Sequence, residues 1–165
     1  MAAMTAYRFK LTAAALSAAL FCFMLSSAAS GQRVVPSFRI KALKAMLFYA
    51  ESGTFSADLF GPSAPKLQNV PTGVGQATAT LIVVEMTGPP DSYAPNRRVS
   101  LTATAGNRSL LTKALPLGRP GDDGKYYAAF WLYDTGCTPI VLKIRIVGQT
   151  QDFALQKTLD FRCGD

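Results

Sequence analysis

Residues 122–133 have the sequence Asp-Asp-Gly-Lys-Tyr-Tyr-Ala-Ala-Phe-Trp-Leu-Tyr. The stretch contains the only tryptophan and three of the six tyrosines of the chain. Two aspartates and Gly124 are typical of a turn, and the aromatic and apolar residues after them favour a β-strand. Cys137 follows closely. We interpret this stretch as the central strand of a β-sandwich, held by a disulfide just beyond its end.

Side chains alternate between the two faces of a strand, which divides this stretch into two sets. The inward set is Tyr126, Ala128, Phe130 and Leu132. The outward set contains three aromatic residues: Tyr127, Trp131 and Tyr133. An exposed strip of this kind would suit a sugar ring or a protein partner, since exposed apolar patches mark binding sites. The alternative, which we favour, is that the strip is covered, either by the fold or by the loop at 61–76.

Other segments also predict strands. Residues 77–87 include the run Leu81-Ile82-Val83-Val84, which is apolar on both faces, as expected for a strand in the middle of a sheet. Residues 97–105 alternate, and so do residues 140–146. Residues 109–117 return after a Gly-Asn turn, with Leu111 and Leu115 inward. The residues that mark a last inward face are Phe153, Leu155, Leu159 and Phe161.

Residues 39–50 fit either a helical or a strand period. The turn that follows and the alternation of Phe55, Ala57 and Leu59 favour a β-hairpin over residues 40–60. We expect strands 125–133, 140–147 and 153–162 to form a meander.

Residues 61–76 are rich in glycine and proline and predict a long loop. Loops of this length are often functional, and Gly73 and Gly75 mark it as a candidate binding loop. The alternative that we favour is a crossover between two sheets. The glycine spacing is not that of a phosphate-binding loop.

About eight short strands without a convincing helix predict an all-β sandwich or barrel. The stretch Asp122-x-Gly124-x-Tyr126-x-Ala128 resembles the tyrosine corner of immunoglobulin-like sandwiches. The resemblance implies a single immunoglobulin-like, Greek-key β-sandwich of about eight antiparallel strands. It covers seven residues and implies no function. The family pattern has cysteine at the position of Ala128 and a tryptophan on an earlier strand, whereas Trp131 lies on this one.

The N-terminus has the order of a secretory signal peptide: Arg8 and Lys10, an apolar run, then small residues. We predict cleavage after Ala29, with Ser30 or Gly31 as alternative sites. An uncleaved membrane anchor and a lipid anchor on Cys22 are less favoured alternatives. Residues 30–165 then form a single domain without a membrane span. The predicted location is periplasmic or secreted.

The mature chain would contain two cysteines, Cys137 and Cys163, which permit one intramolecular disulfide. An oxidising compartment favours that bond. The spacing is not Cys-x-x-Cys, and the chain has no histidine, so neither a redox motif nor a zinc site is indicated.

Composition argues against several function classes. The absence of histidine removes the Ser/His triads and the commonest general base. Asp122-Asp123 is the only adjacent acidic pair, and a solvated turn explains it better than calcium binding. After cleavage, 15 basic and 10 acidic residues leave a net charge of +5, spread along the chain rather than concentrated as in nucleic-acid binders. We therefore expect no catalysis, cofactor or metal.

Two functions fit these predictions. The first is an exported interaction or accessory module that binds another envelope or extracellular protein. The second is a carbohydrate-binding module that uses the three outward aromatic residues.

Overall fold

The computed structural model of the protein describes residues 37–65, 75–133, 135–149 and 154–162. These residues contain eight β-strands and no helix. The strands are β1 Arg39–Tyr49, β2 Thr54–Phe55, β3 Ala77–Thr87, β4 Arg98–Ala105, β5 Arg108–Pro116, β6 Lys125–Tyr133, β7 Ile140–Val147 and β8 Ala154–Leu159. The predicted signal peptide, residues 1–29, lies outside the described residues.

The strands form two four-stranded antiparallel sheets. The strand order is β2-β1-β3-β6 in the first sheet and β5-β4-β7-β8 in the second. The prediction of an all-β fold with about eight strands is confirmed. Within the described part of the chain, no helix is long and apolar enough to cross a membrane.

One hydrophobic core receives side chains from both sheets, an arrangement compatible with a β-sandwich. Alternation decides which residues enter it. On β7, the four inward residues are almost completely buried, and the intervening Lys143 and Arg145 are exposed. On β6, Ala128, Phe130 and Leu132 are buried as predicted. Burial of each large apolar side chain stabilises the fold by roughly 1.5–3 kcal/mol.

β6 is an edge strand, so the prediction of a central strand is wrong. Among the described residues it pairs with β3 alone, from Thr87 opposite Lys125 to Ala79 opposite Tyr133. The predicted meander of three strands is also wrong. The chain changes sheets after β6, because β7 and β8 belong to the second sheet. Aromatic residues on both faces of β6 suggested burial from both sides, but those of the outer face are surface residues.

The predicted hairpin over 40–60 is only partly correct. β1 is a strand, but β2 has two residues, and its Phe55 pairs with the outward-facing Phe48. Beyond β2, backbone and side chains together bind β1, with Ser56 N donating to Leu47 O at 2.9 Å and Leu59 N to Ala45 O at 2.7 Å. Ser56 Oγ accepts from Leu47 N (2.9 Å), and Asp58 Oδ1 accepts from Ala45 N (3.0 Å). These hydrogen bonds satisfy the backbone N–H groups of Ala45 and Leu47 on this side of β1 without a further strand.

The predicted common inward face of Phe55, Ala57 and Leu59 is accordingly wrong. Phe55 and Ala57 are exposed, and Leu59 alone packs partly against the core.

The segment 61–76 does not cross between sheets, contrary to the favoured prediction. It connects β2 to β3, which flank β1 on opposite sides in the same sheet. Residues 66–74 of this segment, including Gly73, lie outside the described residues.

Candidate functional site

The outer face of the first sheet carries an apolar surface that is separate from the core. Register places Trp131 beside Leu81 and Leu81 beside Met46. The next row toward the end of β6 places Tyr133 beside Ala79, and Ala79 beside Phe48. Phe55 of β2 extends that row. We call this surface the aromatic face, and its residues are Met46, Phe48, Phe55, Ala79, Leu81, Tyr127, Trp131 and Tyr133.

The three aromatic residues predicted to face outward are exposed. The exposed fractions are 53% for Tyr127, 38% for Trp131 and 62% for Tyr133. The favoured expectation of a covered strip is therefore wrong among the described residues, because no described strand or loop lies over this side of β6. The alternation of β6 predicted the correct outward set.

Three rings form a contiguous cluster across the sheet. The Phe48 and Phe55 centroids lie 5.2 Å apart, and the Trp131 indole meets Phe48 almost edge-on, at 5.9 Å and 82°. Phe55 and Trp131 lie 6.1 Å apart. Aromatic pairs at these separations stabilise one another by about 0.5–1.5 kcal/mol beyond their burial. The cluster packs the Trp131 ring against Phe48 and Phe55 on the outer face of the sheet.

A shallow open cavity of about 270 Å³ lies between the rings. Its lining consists of Phe48, Thr78, Ala79, Trp131 and Tyr133. Ala79 is only 7% exposed, yet it is outside the core cluster. Its small side chain on the outer face leaves room for the surrounding rings and forms the floor of the cavity.

The arrangement suits binding by apolar contact. The rings provide apolar walls, and Thr78 and Tyr133 add hydroxyl groups that can donate and accept hydrogen bonds. Phe48 and Trp131 are nearly perpendicular, so the rings form a concave surface rather than one flat platform. An apolar side chain or the C–H face of a small ring would fit such a surface.

Charged residues lie toward the opposite end of the same sheet face. Lys44 is opposite Val83, Glu85 is opposite Tyr127, and Lys125 begins β6. The outer face is therefore apolar at the end of β6 and polar at its start, which is the composition of an interface with a charged rim.

Phe48, Phe55, Met46 and Leu81 were not predicted as site residues. Phe55 was assigned to the inward face, and Phe48 belonged to a segment whose period was ambiguous. The signal that was available is the run at residues 81–84, which is apolar on both faces although only one face of β3 enters the core.

The remaining predicted site residues are separate from the aromatic face. Gly75 has a φ of +88°, and a Cβ there would lie 2.7 Å from Glu51 Oε2, so this residue has a local backbone role. Cys137 is exposed in the turn before β7, and Cys163 lies outside the described residues. The disulfide between them stays a prediction.

The acidic pair lies in the turn before β6. Asp123 Oδ1 accepts from the backbone N–H of Lys125 at 3.0 Å, as expected of a solvated turn. Among the described residues, no three acidic, cysteine or histidine side chains group as metal ligands.

No protein-family model matches the chain, and no curated protein matches it at a significant level. Function is therefore inferred from the chemistry of the aromatic face.

Proposed function

We propose that the protein is an exported, non-catalytic interaction module that binds another envelope or extracellular protein through the aromatic face. The observation that carries the proposal is the cluster of Phe48, Phe55 and Trp131 on the outer face of the first sheet, in which Phe55 and Trp131 are exposed and Phe48 is partly exposed. Exposed apolar patches mark interaction sites, and aromatic anchors dominate binding energy at interfaces.

The proposed export rests on the N-terminal residues 1–29, with a charged start, an apolar run and small residues at the end. The proposed disulfide between Cys137 and Cys163 fits this location. The strand pairing supports it, because Leu159 at the end of β8 lies opposite Ile140 at the start of β7. The chain therefore enters β7 and leaves β8 at the same end of the second sheet.

An immunoglobulin-like topology is part of the proposal and is supported by strand order. In the first sheet, β1, β3 and β6 correspond to strands A, B and E of that fold. In the second sheet, β5, β4, β7 and β8 correspond to strands C′, C, F and G. With this assignment, the strands that are adjacent in each sheet are also adjacent in the immunoglobulin fold. The resemblance of residues 122–128 to a tyrosine corner does not add to this support. Tyr126 begins the E-like strand rather than F, and its ring packs where a Cβ at Gly118 would overlap it.

Surface variants test the aromatic face with a matched control. Tyr133 on the aromatic face and Tyr93 in the β3–β4 loop are 62% and 61% exposed. We expect Tyr133→Ser and Phe55→Ser to abolish crosslinking to a specific partner in the cell-envelope fraction, and Tyr93→Ser to retain it. Equal loss with Tyr93→Ser, or retention with both face variants, would contradict the proposal.

A carbohydrate ligand is the second candidate, favoured by the open cavity between Trp131 and Tyr133. Trp131 is the only tryptophan, so its fluorescence reports this site alone. Soluble oligosaccharides should shift its emission saturably, and Tyr133→Ser should remove the shift while Tyr93→Ser keeps it. A blue-shifted emission that responds to neither acrylamide nor glycans would exclude this function.

A further inference from the structure

The second sheet carries an excess of positive charge. Its four strands contain basic residues and no acidic residue, whereas β3 of the first sheet contains Glu85. The basic residues are Arg98, Arg108, Lys113, Lys143, Arg145 and Lys157. Strand pairing therefore collects on one sheet basic residues that are dispersed along the sequence.

Three of these cations lie together on the outer face of the second sheet. Alternation directs Lys143 and Arg145 of β7 away from the core, and both are exposed. Residues two apart on one strand are separated by roughly 7 Å. Arg98 of β4 is exposed and lies diagonal to Arg145, because it is opposite Val147, and such diagonal neighbours lie about 7–8 Å apart. We call Arg98, Lys143 and Arg145 the cationic row.

No negative charge of the described residues neutralises the cationic row. The exposed ion pairs of the protein, Arg119 with Asp91 and Lys125 with Asp123, lie outside the second sheet. None of the three side chains of the row has an ion-pair partner in the described part of the chain. Neighbouring like charges repel one another, so an anion bound across the row would relieve this repulsion.

Hydroxyl groups surround the cationic row. Ser100 is opposite Arg145, Thr102 is opposite Lys143, and Thr112 of β5 is opposite Thr102. Hydroxyl groups both donate and accept hydrogen bonds, as the hydroxyl groups of a sugar do. The four strands of this sheet contain no aromatic residue. They therefore lack a stacking platform for nucleic-acid bases, the aromatic anchors of a protein interface and the large apolar side chains that enter a lipid surface.

We propose that the outer face of the second sheet binds an acidic polysaccharide. The cationic row binds its carboxylates by charge-assisted hydrogen bonds, and the serine and threonine hydroxyls bind the sugar hydroxyls beside them. This face and the aromatic face belong to different sheets, so both can be occupied at once. A polysaccharide of the envelope or the extracellular space is the expected source, which rests on the export included in the proposed function.

Calorimetric titration with polygalacturonate, a linear polysaccharide that carries a carboxylate on each sugar, tests the proposal. We expect saturable binding at low salt and no binding of neutral dextran. Lys143→Gln and Arg145→Gln should each raise the dissociation constant by at least about threefold, and the triple variant with Arg98→Gln by at least about twentyfold. Raising the salt concentration from about 50 mM to about 200 mM should weaken binding by the original protein more than binding by the triple variant.

The matched control is Lys44→Gln, which removes the same charge from an exposed position of the first sheet. It should keep the dissociation constant within about twofold of the original value, and Lys143→Arg should do the same because it keeps the charge. Equal loss with Lys44→Gln, equal binding of dextran, or unchanged binding by the triple variant would each overturn the proposal. Tighter binding of phosphatidylglycerol vesicles or duplex DNA than of polygalacturonate at the same salt concentration would also overturn it.

Two variants separate this proposal from the proposed function. Phe55→Ser should lose crosslinking to the protein partner and keep polygalacturonate binding. The triple variant of the cationic row should show the reverse. Loss of polygalacturonate binding with Phe55→Ser would place the polysaccharide on the aromatic face and contradict the assignment to the second sheet.

Discussion

The Gln149 side-chain amide binds both backbone polar groups of Phe38. Gln149 Oε1 accepts from Phe38 N at 3.2 Å, and Gln149 Nε2 donates to Phe38 O at 2.9 Å. Phe38 directly precedes β1 of the first sheet, and Gln149 follows β7 of the second. A single side chain therefore replaces a strand partner and links the two sheets.

Arg97 completes this link between the sheets. Its Nη1 donates to Gln149 Oε1 at 2.9 Å, and its guanidinium lies 5.6 Å from the centroid of the Phe38 ring. The side chain is buried, and this burial lowers the pKa of the Arg97 guanidinium, because a buried cation loses hydration. Hydrogen bonding and the aromatic ring offset part of that loss.

Replacement of Gln149 should destabilise the fold. We expect Gln149→Ala to lower the free energy of unfolding by about 2 kcal/mol, because Phe38 and Arg97 lose hydrogen-bond partners in a partly buried site. Urea denaturation measures this change. Gln156→Ala, at an exposed position of β8, is the control and should change stability by less than about 0.5 kcal/mol. Equal urea midpoints for the Gln149→Ala and Gln156→Ala variants would show that the Gln149 side chain does not stabilise the fold through these hydrogen bonds.

Gly124 should tolerate substitution less well than Gly106. Both have positive φ, +70° and +56°. A Cβ at Gly124 would lie 2.7 Å from the Gly88 carbonyl oxygen, whereas one at Gly106 would contact nothing within 4 Å. We expect Gly106→Ala to cost about 1 kcal/mol of stability from its left-handed backbone. Gly124→Ala should cost about 1–2 kcal/mol more, because the turn must also move away from Gly88.

Thermal unfolding of the two glycine variants measures this difference. A smaller loss with Gly124→Ala than with Gly106→Ala would show that the turn before β6 adapts without strain.

The predicted disulfide should make a measurable contribution to stability. A loop of about 25 residues closed between Cys137 and Cys163 should stabilise the fold by roughly 3 kcal/mol. The variant with serine at both positions should therefore unfold at a lower denaturant concentration than the oxidised protein. After treatment with a reductant, the protein should unfold at a denaturant concentration close to that of the double-serine variant. Two titratable thiols in protein from an oxidising host would show that the bond does not form.

Local alternation predicted the strands whose two faces differ most in polarity. β7, β4 and β6 were predicted within a residue or two, and Ala128, Phe130 and Leu132 of β6 are buried as predicted, because one face of each strand enters the core. The hairpin of β1 was predicted less well. The polar side chains of Ser56 and Asp58 bind the β1 backbone directly, and a hydrophobic pattern contains no information about such bonds.

The sequence alone determined that the chain forms β-strands, that Ala128, Phe130 and Leu132 of β6 face the core, and that Tyr127, Trp131 and Tyr133 share the opposite face. These properties follow from the two-residue period of a strand and from local turn chemistry. Tertiary structure alone decided that β6 is an edge strand and that Phe48 and Phe55 join Trp131 across the sheet. The reason is that strand order depends on contacts between residues distant in sequence, and alternation within one strand is the same in a central strand as at an edge.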